Sequence, residues 1–223
     1  MAVAGHDFRN QLQIILSSYS RLGRQTLDGR ERQYFELGRS AAAQLASQFD
    51  QFVDALRLCE DDRSPVISRL RIQSILASLY RDNFRLAEER NISFKVLPSR
   101  LALKSDPLLL ESVLRNLTRN AFKYTCRGGR VLVGCRKRGR SVRIEIRDTG
   151  AGIPGSEIAR IFDPFYRPDS KLSEGLGLGL FIVRRAANLL AHQLEVQSAH
   201  GRGSCFAVIA EACELSGDTW EQQ

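Results

Sequence analysis

The chain has 223 residues, enough for one large domain or two of ordinary size. A hydrophobic share of 43%, a charged share of 26% and only six prolines exclude disordered, collagen-like and low-complexity classes. No stretch approaches the roughly 20 apolar residues of a membrane-spanning helix. The opening Met-Ala-Val-Ala-Gly has no charged region leading into an apolar one, so no signal peptide is expected and the piece is read as cytoplasmic. Five scattered cysteines (Cys59, Cys126, Cys135, Cys205, Cys213) form no CxxC pair, which argues for reduced thiols and against a zinc site. The surplus of 33 Lys+Arg over 25 Asp+Glu gives +8, spread along the chain with one clump, Arg136-Lys137-Arg138-Gly139-Arg140. A turn between two strands explains that clump as well as a nucleic-acid contact would, and no nucleic-acid partner is expected.

In chain order, residues 6–60 lack proline and show two apolar series at helical spacing: Phe8, Leu12, Ile15, Tyr19, Leu22, then Phe35, Ala42, Leu45, Phe49, Phe52, Leu56. A break at Thr26-Leu27-Asp28-Gly29 makes them a helical hairpin, and one hairpin has too little surface to bury both seams. Two hairpins packed as a four-helix bundle would bury them, so a homodimer is expected. Glu60-Asp61-Asp62-Arg63-Ser64-Pro65 is a linker. Beyond it, helices are predicted over 72–89, 106–124 (opened by an Asp106 cap and Pro107) and 178–190. Strands are predicted over 92–97, 130–136, 142–147, 194–198 and 204–209, with a long Gly- and Pro-marked loop over 148–178. The fold class is therefore multidomain: an all-α hairpin over 1–62, an α+β sandwich with a mostly antiparallel sheet over 66–212, and a tail over 213–223.

Four segments of the second part carry chemistry. In Asn116-Leu-Thr-Arg-Asn120-Ala-Phe-Lys123-Tyr124, the two asparagines are one turn apart on one helix face. Neutral oxygen donors so placed suit Mg²⁺, which takes other ligands from phosphates; Lys123 is placed to meet a phosphate and Tyr124 a base. In Asp148-Thr-Gly150-Ala-Gly152-Ile153, a carboxylate at a strand end can accept from an adenine amino group, and the glycines let the backbone approach a ligand. Ile161-Phe162-Asp-Pro-Phe-Tyr-Arg167 offers aromatic anchors and a phosphate-reaching arginine. Gly175-Leu-Gly177-Leu178-Gly179 runs into an apolar helix, its amides forming a cradle for anionic oxygens. Taken singly, each is also an ordinary helix face, turn or loop.

In this order and spacing the segments resemble the N, G1, F and G2 boxes of the ATP-binding domain of sensor histidine kinases. Gly5-His6-Asp7-Phe8-Arg9-Asn10 resembles their phosphoacceptor H box, so the likeness covers residues 6–211, nearly the whole chain. Geometry agrees with a displayed histidine: at about 100° per residue, His6 falls nearly opposite the apolar seam, with Asn10 about 40° away on the same face. Gln11 stands where the family often has proline. Only five residues precede His6, where the family's helix starts well upstream, so a longer sensor, cut just before its phosphoacceptor, is expected.

The resemblance implies the following roles. ATP lies with its adenine against Asp148 and Tyr124; its triphosphate lies along Lys123, Arg167 and the loop amides, with Mg²⁺ held by Asn120 and assisted by Asn116. His6 is the nucleophile and Asp7 accepts its second ring proton. The phosphoryl group passes from His6 to an aspartate of a response regulator. Asn10 orients water for removing phosphate from that regulator, which adds phosphatase activity. Two alternatives remain: a degenerate kinase acting as a scaffold, and an ATPase of the gyrase, mismatch-repair or chaperone type, disfavoured because Asn116 stands where those enzymes carry a glutamate base.

Overall fold

The computed structural model describes residues 14–15, 17–19, 22, 28–59, 64–167 and 176–214. The described residues among 14–22 are helical, and helix α1 runs Gly29–Cys59. Its start is a capping box: Asp28 Oδ1 accepts from the Arg30 and Glu31 amides at 2.9 and 2.8 Å, and Glu31 accepts from the Asp28 amide at 3.0 Å. Tyr19 lies against Phe35, ring centroids 5.6 Å apart. Leu45 and Phe52, members of the predicted seam, are 55% and 41% exposed in the single chain. Among the described residues, no helix is long and apolar enough to cross a membrane.

The remainder is a sandwich of a mixed sheet and helices. In order come β1 (Ser68–Arg71), α2 (Ile72–Glu89), β2 (Ser93–Val96), β3 (Ala102–Ser105), α3 (Pro107–Tyr124), β4 (Arg130–Arg138) and β5 (Ser141–Asp148). A short 3-10 turn (Gly155–Glu157), α4 (Gly179–Leu189), β6 (Gln193–Ser198) and β7 (Ser204–Cys213) complete the domain. The strand order is β1-β3-β7-β5-β4-β2, and β6 pairs with β7 beside β3. The β2–β4 pairing is parallel, whereas the other pairings are antiparallel. The basic clump is the β4–β5 hairpin, in which Arg138 faces Ser141 across a turn containing Gly139 at φ +58°.

Alternation in the strands sends Val131, Val133, Val142, Ile144, Ile146, Phe206 and Val208 to the helix-covered face, all at most 5% exposed. Leu110, Leu114 and Leu117 of α3 and Ile182, Val183 and Ala186 of α4 meet them from above. The other face of β5 is ionic, with Arg143, Glu145 and Arg147 alternating against the core residues. Asp106 caps α3 as the sequence predicts, accepting from the Leu108 and Leu109 amides at 2.9 and 3.1 Å. Its second oxygen accepts from the Val66 amide at 3.0 Å, which ties the incoming linker to the start of α3.

Candidate nucleotide site

The site forms where three chain segments meet at the C-terminal end of α3. That helix presents Asn116 and Asn120 half-buried on one face, then Lys123 half-buried and Tyr124 exposed at its end. The Asn116 amide donates to the Ser112 carbonyl at 2.9 Å, which fixes the side chain along the helix. A Cβ placed on Gly179 would lie 3.3 Å from Asn116 Oδ1 and 3.8 Å from Asn120 Oδ1, so the two carboxamide oxygens converge on the first residue of α4. Lys123 Nζ sits 5.0 Å from the centre of the Tyr124 ring.

The Asp148–Ile153 turn is seated on the end of α3. The Ala151 amide donates to the Tyr124 carbonyl at 3.3 Å, and a Cβ on Gly150 would strike that same carbonyl. Gly152, at φ +68°, would drive a Cβ into the Ala199 carbonyl, which is why glycine is required there. Asp148 Oδ1 accepts from the Gly150 amide at 2.8 Å and the Ser204 amide at 3.2 Å. Burial pushes the Asp148 carboxyl above its usual range, against the opposing pull of those donors. Ile153 is half-buried and its amide donates to Ser198 Oγ at 2.8 Å.

The loop over 161–167 closes the third side. Phe162 is buried at 5% exposure under the Arg184 guanidinium, 4.5 Å from its ring centre, so it anchors the loop in the core. Phe165 adopts φ +63° and its amide donates to the Gly177 carbonyl at 3.2 Å. Gly177, at φ +73°, would bring a Cβ to 2.9 Å from the Tyr166 carbonyl. Leu178 is buried at 2% exposure, leaving Gly177 and Gly179 to face the cavity.

Between these segments lies a cavity of about 300 Å³. Among the described residues, its walls carry Asn120, Lys123, Tyr124, Arg167, Gly177 and Gly179, together with Arg90 and Arg119, and no aspartate or glutamate. Desolvation by the surrounding protein lowers the Arg119 pKa. Of the predicted site residues, Asn116 and Gly150 touch this cavity's walls, at Gly179 and Tyr124, whereas Asp148, Gly152 and Ile153 belong to the turn behind Tyr124 and do not line the cavity, and Phe162 and Leu178 lie in the core. His6, Asp7, Asn10 and Gly175 lie outside the described residues. Sequence reading passed over Arg90 and Arg119, and also Gly203, whose φ of +78° lets it press on the Asp148 carbonyl. The Gly201-Arg-Gly203 spacing was the available signal for the last.

Comparison with known proteins agrees with this geometry. Residues 105–212 match the family described as histidine kinase-, DNA gyrase B-, and HSP90-like ATPase. The sensor histidine kinase AtsR of Burkholderia thailandensis is 31% identical over 228 residues, covering 97% of this chain and 37% of that protein. The sensor-like histidine kinase SenX3 of Mycobacterium tuberculosis is 30% identical over 175 residues, covering 77% of this chain and 43% of that protein. The crystal structure of full-length ShkA in complex with AMPPNP superposes with a TM-score of 0.76 at 26% identity, covering 96% of this chain and 46% of that one. The chain thus spans less than half the length of these relatives. With an ATPase domain of that family behind a long helix, the chain belongs to the sensor histidine kinases.

Proposed function

We propose that the chain is the cytoplasmic kinase core of a two-component sensor, which binds ATP with Mg²⁺, phosphorylates His6 and passes the phosphoryl group to an aspartate of a response regulator. The observation that carries the reading is the cavity: among the described residues, arginines and a lysine, carboxamides and glycine-loop amides line it without an acid, which is the composition a polyphosphate needs. Asn120, with Asn116 beside it, would hold Mg²⁺, whose charge offsets that of the phosphates. The converging carboxamide oxygens suit that ion. Asp148 accepts from the adenine amino group while Oδ1 is held by two backbone amides. Lys123 and Arg167 meet the charge that develops on the transferred group.

His6 acts as a neutral imidazole, one nitrogen attacking while Asp7 takes the proton from the other. Asn10, one turn on, orients water for phosphatase action on the regulator. The exposed Leu45 and Phe52 of α1 support a homodimer through a four-helix bundle. Incubation with γ-labelled ATP tests the whole reading: an acid-labile, base-stable label that His6→Gln removes is expected. Phosphate release without labelling would point to a plain ATPase, and neither outcome to a scaffold.

A further inference from the structure

Helix α1 carries two stripes, not one. The apolar seam of Ala42, Leu45, Phe49, Phe52 and Leu56 was read from periodicity. About 120° round the helix a second stripe runs Gln44, Gln48, Gln51, Ala55, Leu58 at the same four-three spacing. Its lower end is fastened to the ATPase domain. Ala55 and Leu58 are 5% and 3% exposed, and the Leu58 carbonyl accepts from Arg185 Nε of α4 at 2.9 Å. Its upper end forms a wall of the nucleotide cavity, with Gln48 and Gln51 half-buried and Gln44 on the rim, facing Asn120, Lys123 and Arg167.

We infer that Gln44, Gln48 and Gln51 are nucleotide-binding residues supplied by the helical segment, their carboxamide N–H groups donating to the polyphosphate; this rests on the ATP reading above. A carboxamide carries two donors and no charge, so it adds hydrogen bonds at a phosphate without the long-range pull of another cation. Three such groups on one helical stripe, followed by two residues that lock the stripe to α4, give the cavity a wall that is present only while α1 is docked. Nucleotide binding and docking of α1 then favour each other, because each completes the surface the other contacts.

The test uses the full chain with the paired substitutions Gln48→Glu/Gln51→Glu and Gln48→Ala/Gln51→Ala, titrated with ATP and with adenosine. Carboxylates on this wall would face the phosphates, so ATP affinity should fall at least about tenfold in the glutamate pair, with adenosine affinity within about twofold of wild type. The alanine pair should fall between, since it removes donors without adding repulsion. ATP affinity unchanged in both pairs would overturn the inference. So would equal loss of ATP and adenosine, which would mean that the glutamines merely hold the wall in place. A wild-type chain that binds no ATP overturns the nucleotide reading itself, and needs no variant to reveal it. If circular dichroism shows the glutamate pair unfolded, the alanine pair decides.

Discussion

Glu145 should carry a large, pH-dependent share of the stability of the ATPase domain. Its side chain is only 12% exposed and receives Arg136 and Arg143 at 2.6 Å on one oxygen and Arg147 at 2.7 Å on the other. Burial alone would push its carboxyl upward, but the hydrogen bonds from the three arginines win and hold it at about 2, below the ordinary 4.5. A displacement of that size stabilises the fold by about 3 kcal/mol at neutral pH. Because the folded value is the depressed one, this contribution is complete above the unfolded value of 4.5 and drains away as pH falls toward about 2. Glu145→Gln keeps the shape and removes the charge, leaving Arg143, whose side chain is 10% exposed, with Glu195 as its remaining acid. Urea unfolding at pH 7 should show the variant about 2–4 kcal/mol less stable, and by pH 3 the gap should have shrunk by at least about half. A difference below about 0.5 kcal/mol, or one that does not change with pH, would refute the reasoning.

On the proposed reading, Asn120→Asp would place a carboxylate beside the phosphates and change the metal geometry. ATP-dependent labelling should fall at least about a hundredfold, while sedimentation, which reports on the apolar seam on another face of α1, stays unchanged. Gly152→Ala forces a Cβ into the Ala199 carbonyl at a left-handed φ of +68°. A loss of about 1–3 kcal/mol in thermal unfolding together with weakened ATP binding is expected, and wild-type behaviour in both would contradict the close approach.

Much of the sandwich was legible because its signals are local. Asp106-Pro107 marks the start of α3 where the structure has it, and the strong alternation of β4 and β5 locates both strands to within two residues at either end. β1 and β3 were not read. Each has four residues, too few to establish a period, and each earns its strand conformation only by pairing, β1 with β3 and β3 with the far end of β7. That far end, Ala210–Cys213, likewise lay beyond the predicted strand. The direction of β2 was invisible for a related reason: whether a strand runs parallel to β4 depends on the β3 and α3 crossover, not on its own residues. Of the cavity walls, motif spacing located Asn120, Lys123, Tyr124, Arg167, Gly177 and Gly179, since each motif is contiguous. Arg90 and the α1 glutamines reach the cavity from other elements, and hydrophobic periodicity has no means of registering a stripe of amides.

The separation of charges within the site has a consequence for how a nucleotide would lie. The described cavity walls hold cations and carboxamides, whereas Asp148 lies off the cavity, in the turn that the Ala151 amide ties to the Tyr124 carbonyl. Asp148 is pinned at its backbone by the close packing of Gly203 and at its side chain by the Gly150 and Ser204 amides, so it cannot swing toward the cations to form an ion pair. Burial also makes its charge costly, which favours a donor such as an adenine amino group as its partner. A nucleotide entering the other way round would bring a polyanion against this carboxylate. On the ATP reading, orientation would be set at both ends, by attraction at α3 and α4 and by repulsion at β5, with the glycines at 150, 152 and 203 letting the backbone hold those ends apart.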